Sequence, residues 1–303
     1  MNIKFTNILF TAILLTSAQF LAQENEDSNP NQLSNIQTYT PSKLLNKGQW
    51  DIKFFNNLYT ETEATFDGIK ATKPRENYFT STLEIFTGVS ENNRFNLGLI
   101  IETRSNTVGG RDALSVFSFD GRAGITSIAP SIKWQPLENI GNFSVQTSVN
   151  IPLVKQETVN GIFLDEAVLN LQNRFFYDYT LPSGKWQLFT ELNTQYFFGK
   201  DEVATFDVQG AKTTLEGSFA SGTFILNPGV FMSYFPSDKS TVLGFVQHTN
   251  RFGDFTQDFT ALGFGGKYQL TNVLNLEVLY SKFVRGNNTG LGQSFNIGLR
   301  ALF

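Results

Sequence analysis

From residue 49 onward, apolar and polar side chains alternate along the chain with a period of two. That period belongs to extended strands whose two faces meet different surroundings, because successive strand residues point to opposite sides. The alternation predicts twelve strands, near 49–59, 76–89, 94–105, 124–135, 143–152, 168–181, 186–198, 223–235, 241–250, 259–268, 273–283 and 294–303. The connections between them alternate in length. Short ones fall at 90–93, 136–142, 182–185, 236–240 and 269–272. Longer ones fall at 60–75, 106–123, 153–167, 199–222, 251–258 and 284–293. Bacterial transmembrane barrels have this habit, with short periplasmic turns and long outer loops. The expected fold is therefore all-β, a closed antiparallel transmembrane β-barrel of about twelve strands spanning residues 49–303. An even strand number puts both of its ends on the periplasmic side. A soluble sandwich has no reason to alternate loop lengths so regularly.

Hydrocarbon offers no hydrogen-bonding partner, so the apolar face of each strand is expected to meet lipid. In one strand Phe95, Leu97, Leu99 and Ile101 oppose Asn96, Gly98, Glu102 and Arg104, with Ile100 an apolar exception. In another, Phe143, Val145, Val149 and Ile151 oppose Ser144, Gln146, Ser148 and Asn150. Trp50, Trp134 and Trp186 lie on the apolar face near predicted periplasmic ends, joined by Phe143, Tyr179, Tyr234, Tyr268 and Phe303. They read as an interfacial aromatic girdle, and Tyr196 and Tyr280 begin an outer one.

The polar face carries both signs of charge: Lys53, Glu84, Glu102, Arg104, Lys133, Arg174, Asp178, Glu191, Lys267, Glu277 and Arg300. Unpaired charges in a narrow lumen are costly, so these residues should pair. Twelve strands lie between barrels filled by side chains and barrels with a water-filled channel. The expectation is a narrow, polar lumen partly closed by a belt of ion pairs. The belt reads either as a selectivity constriction or as a lattice that stiffens the wall.

Composition narrows the alternatives. Cysteine is absent, which removes disulfides, thiolate metal sites and a lipoprotein anchor. The net charge of −4 speaks against a nucleic-acid partner. Residues 1–23 combine Lys4 with an apolar run from Ile8 to Ala22 and read as a secretory signal peptide. Residues 24–48 are polar and turn-rich and read as a periplasmic N-terminal segment. At the other end, Asn296, Gly298, Ala301 and Phe303 follow the polar-x-Gly-x-x-apolar-x-aromatic pattern by which outer-membrane barrels are handed to their insertion machinery. The lipid bilayer and that machinery are the expected partners, and the bacterial outer membrane the expected location.

Candidate chemistry is sparse. His248 is the sole histidine, at an outer strand end. A lipid-cutting barrel needs a histidine beside a hydroxyl nucleophile, but Thr249 points to the opposite face, and Ser233 or Ser281 would have to be recruited from other strands. Asp112, Asp120, Asp201, Glu202, Asp254 and Asp258 lack the spacing of a calcium loop. No catalytic residue, metal site or cofactor is expected. The apolar loop residues Val116-Phe117-Ser118-Phe119, Ile162-Phe163-Leu164 and Phe219 could fold into the barrel mouth, or could extend the strands above the membrane.

Two stretches carry a family resemblance. They are Thr40-Pro41-Ser42-Lys43-Leu44-Leu45-Asn46-Lys47-Gly48-Gln49-Trp50, and the closing part from Leu262 through Glu277 with Phe295–Phe303. They resemble the outer-membrane barrels of the MetA-pathway-of-phenol-degradation family, especially its Bacteroidota forms. The resemblance implies a channel for a small hydrophobic or aromatic compound, of unknown identity here, and brings no catalytic residues. The leading expectation is passive diffusion of such a solute through the barrel. The competing ones are a plugged structural or adhesive barrel that binds partners through its outer loops, and a lipid-modifying hydrolase using His248.

Overall fold

The computed structural model describes residues 40–199, 203–206 and 212–303. Residues 1–39, which include the expected signal peptide, lie outside this range. Twelve long strands form: β1 (Trp50–Phe66), β2 (Ile69–Gly88), β3 (Phe95–Thr107), β4 (Arg122–Trp134), β5 (Phe143–Pro152) and β6 (Asn170–Thr180). They continue with β7 (Trp186–Phe197), β8 (Phe224–Ser237), β9 (Ser240–Phe252), β10 (Gln257–Gln269), β11 (Leu274–Asn287) and β12 (Gln293–Leu302). Each is antiparallel to its sequence neighbours, and β1 pairs with both β2 and β12. The sheet is therefore closed and has no free edge, which is what a strand structure in lipid requires.

The register fixes which side chains share a face. Asn57 stands opposite Asn296 and Thr80, and Lys53 opposite Arg300 and Glu84, so these residues look into the lumen. The intervening positions look out. Leu97 is 50% exposed and Ile297 53%, while Asn96 is 2% and Gln146 3% exposed. Val145 is only 6% exposed although it faces outward, because Trp134 and Phe175 flank it in the register. Trp50, Trp186, Tyr179, Tyr268 and Phe303 are exposed on the outer wall close to the end that carries the short turns, the inner end. Trp186 rests against Tyr234 with ring centres 4.8 Å apart.

Three of the expected long connections are shorter than the alternation implied. The stretch 60–75 is mostly strand, with β1 and β2 running on to a two-residue turn at Asp67-Gly68. Both turn residues have positive φ, 47° and 79°. Asp-Gly is the pair that tolerates this left-handed hairpin geometry, so the turn was legible in the sequence. The stretches 251–258 and 284–293 also shrink, because β9, β10 and β11 extend outward and Thr289–Gly290 pairs with β1. Two small ribbons decorate the outer loops, Thr158–Val159 with Ile162–Phe163, and Val203–Phe206 with Lys212–Glu216.

Candidate functional site: the barrel lumen

A cavity of about 610 Å³ occupies the lumen. A charged belt runs around its wall. Arg300 grips Asp51 with two hydrogen bonds of 2.7 and 2.8 Å. Lys53 reaches Glu84 at 2.9 Å and Asp51 at 3.7 Å. Arg174 lies 2.8 Å from Glu191 and 3.7 Å from Glu84, and Lys267 lies 2.7 Å from Glu277. The structure thus brings Lys53, Glu84, Arg174, Glu191, Lys267, Glu277 and Arg300 to the cavity wall. Asp51, which sequence reasoning missed, completes the belt; its even spacing from Lys53 was the signal. Glu102 and Arg104 pair with each other at 2.6 Å, but higher up and outside the cavity lining.

Aromatic rings interleaved with the belt correct the expectation of a polar lumen. Phe176, Phe189, Phe231 and Phe245 form a run of rings around β6, β7, β8 and β9, with successive centres 6.1, 5.3 and 5.1 Å apart. A second run climbs toward the outer mouth. Phe259 stacks on Phe283 at 4.2 Å, Phe283 lies 4.8 Å from Tyr59, and Tyr59 lies 6.1 Å from Tyr78. These aromatics sit two residues from charged ones: Phe55 after Lys53, Phe176 after Arg174, Phe189 before Glu191. Parity alone would have placed them inside. The conflict lies in residue type, because an apolar side chain on a barrel strand ordinarily marks the lipid face.

Glycines let the rings lie flat. A side chain at Gly263 would run into the Phe245 ring, one at Gly298 into Phe55, and one at Gly98 into Phe86. Each ring covers a neighbouring strand where no side chain rises, so the wall is lined and the cavity stays open.

The inner end is closed from within. Thr40 donates a 2.8 Å hydrogen bond to Asp178 on β6. Lys133 on β4 donates to the carbonyl oxygens of Pro41 and, at 3.0 Å, Lys43. The Leu45 backbone N–H donates to Asn96 at 3.2 Å, and its side chain is buried with Phe86 and Leu302 against Ile100. Residues 40–47, expected as a periplasmic segment, therefore lie across the end of the lumen. They run from β6 toward β12, six strands round the ring. Lys133 and Asp178 join this segment rather than the ion-pair belt.

A strap lies over the outer mouth. Asp165 meets Arg104 on β3 at 3.0 Å, and Glu166 pairs with Arg251 on β9, again six strands away. Asn106 donates to the carbonyl oxygens of Phe163 and Leu164 at 2.8 and 3.2 Å. Phe163 packs on Phe219, and Arg251 lies over the rings of Phe197 and Phe219. Burial of Asp165 away from water pushes its carboxyl up to about 6, and burial raises Glu166 as well.

The segment at 116–119 behaves differently. Its 3-10 turn, Ala113–Ser118, folds onto the outside of the wall. Outward-facing Ser105 donates to the Val116 carbonyl at 2.6 Å, and Phe117 meets outward-facing Phe79 at 4.9 Å. Beside it lies an apolar recess of about 360 Å³ on the outer wall. Neither position suggested for this loop, in the mouth or as a strand extension, describes it.

His248 also faces outward, with Nδ1 2.9 Å from Thr260 Oγ1. Ser233 and Ser281 line the cavity on the opposite side of the wall, so neither can form a triad with this histidine.

No family model and no curated relative matches the sequence. The fold has clear counterparts among solved structures. An outer-membrane channel from Pseudomonas putida F1 superposes with a TM-score of 0.65 at 12% identity, over 88% of this chain and 99% of that one. The β domain of the Bordetella autotransporter BrkA gives 0.55 at 14% identity, over 86% and 100%. A mutant of the monoaromatic hydrocarbon channel TodX gives 0.50 at 8% identity, over 92% and 94%. The chain has the closed, membrane-spanning barrel fold of bacterial outer-membrane proteins.

Proposed function

We propose that this protein is a channel of the bacterial outer membrane that passes a small hydrophobic or aromatic solute by passive diffusion. One observation carries the reading: two runs of aromatic rings are interleaved with a charged belt around a cavity large enough for a small molecule. Rings stack on rings without demanding a particular hydrogen-bond pattern, so the wall offers a low-specificity path. The belt suits a polar substituent. The resemblance at residues 40–50 and 262–277 to the phenol-degradation family points the same way, as does the likeness in fold to proteins described as channels. Export through a signal peptide at residues 1–23 and assembly through the terminal Asn296–Phe303 motif belong to this reading.

The segment across the inner end favours a second reading, a plugged barrel whose outer loops bind partners. Uptake of a monoaromatic compound into liposomes holding the purified protein separates the two. The channel reading expects uptake that falls in Phe231→Ala/Phe245→Ala while the barrel stays folded. Absence of uptake above empty liposomes would favour the plugged barrel.

A further inference from the structure

We infer that residues 40–47 are an internal gate that closes the inner end of the lumen and must swing away about Gly48 for solute to leave. The inference rests on the channel reading and adds to it the step that controls passage. Thr40 and Pro41 form the floor of the cavity, so a solute lying against the aromatic wall has this segment beneath it. The segment spans the diameter. Lys43 donates to the Gly141 carbonyl at 3.2 Å. Lys47, next to the hinge, pairs with Glu91 and bridges Gly88. The remaining fixings are local. Thr40 holds Asp178, two carbonyls hold Lys133, one amide holds Asn96, and Leu45 fills a small apolar cluster. Apart from the Lys47–Gly88 bridge beside the hinge, none of these contacts involves strand pairing, so the wall stays closed when they break.

The hinge is visible in the backbone. Gly48 has φ +84° and nothing within 4 Å of where a side chain would stand. It is the last residue before Gln49 and the start of β1 at Trp50. On its wall side it is tied by the Gly48 N–H to the Gly88 carbonyl at 2.9 Å. A side chain at Gly88 would collide with the backbone of Leu45 and Asn46, so this wall position is shaped to seat the closed segment.

Opening also exchanges partners sensibly. Lys133 is shielded from water in the closed state, where its amine donates to carbonyl oxygens and lies over the Phe176 ring at 5.2 Å. When the segment leaves, water reaches Lys133 and Asp178, and neither polar group is stranded in an apolar setting. Both then face the exit.

The chain has no cysteine, so a reversible staple can be placed cleanly. Leu45→Cys combined with Leu302→Cys joins two side chains that share one cluster. Current through planar bilayers and uptake of a monoaromatic compound are read before and after reduction. The gate predicts low current and uptake when oxidised, both restored by reductant. A second variant, Leu45→Glu, puts a carboxylate into the apolar cluster. It should shift the closed-to-open ratio by at least about tenfold toward open. Failure of the two cysteines to join under oxidant would overturn the gate. So would equal current in the stapled and reduced states, or unchanged current in a folded Leu45→Glu protein; in both cases current still flows and the channel reading stands. No current or uptake in any form, Leu45→Glu included, would overturn the channel reading and the gate with it.

Discussion

Replacing Ile297 by arginine tests the outward orientation directly. Ile297 is the fifth residue of the ten-residue strand β12, with its side chain 53% exposed between Phe295 and Leu299 on the outer wall. Its register partners are Asn56 and Val278, near the middle of β1 and β11. In water, a half-exposed position of this kind tolerates arginine within about 0.5 kcal/mol. At the midplane of a bilayer the same change costs about 2–4 kcal/mol, because the guanidinium must reach the interface or draw water inward. That range corresponds to a roughly 30- to 900-fold change in the folding equilibrium. Denaturant titration of folding into phospholipid vesicles measures it, with the native form scored by its altered mobility before heating. The reasoning is refuted if Ile297→Arg changes stability by less than about 0.5 kcal/mol in vesicles.

Further outcomes follow from the lumen and the strap. Gly263→Val would push a branched side chain into the Phe245 ring and the Tyr280 backbone, and should destabilise the barrel by about 1–3 kcal/mol, read in the same titration. Lys267→Gln leaves Glu277 without its cation at the cavity wall, so the reversal potential in a salt gradient should move toward cation preference. The strap should respond to pH. Asp165, with Arg104, Glu102 and Glu166 around it, and Glu166, with Arg251, Arg104 and Glu157 around it, both have raised pKa values when docked. The docked strap then holds more protons than a released one between the ordinary carboxylate range and about pH 6. Docking should therefore strengthen as pH falls through 6 and weaken as it rises. Hydrogen exchange of residues 153–167 at pH 5 and 7.5, corrected for intrinsic rates, checks this, and greater protection at pH 7.5 would contradict it.

The sequence determined the wall. A period-two alternation is a local property, and in a single closed sheet it needs only the knowledge of which face meets lipid. Leu97 and Asn96, or Ile297 and Asn296, could therefore be placed without coordinates. The tight turn at Asp67-Gly68 is equally local, since the Asp-Gly pair alone signals a two-residue hairpin. The belt was legible as a set, but its partners were not. Arg300 with Asp51, or Arg104 with Asp165, join residues far apart in the chain, and only the register decides who stands beside whom. The aromatic wall was hidden by the same rule that revealed the outside. Phe231 and Phe245 have the residue type of the outer face, but parity with Ser233 and Gln247 points them inward, where Phe245 lies over Gly263 of the adjacent strand. What crosses the two mouths was beyond local pattern altogether. Residues 40–47 and 162–168 have no alternation to betray them, and their places depend on reaching β6, β12, β3 and β9 across a diameter that exists only once the cylinder has closed.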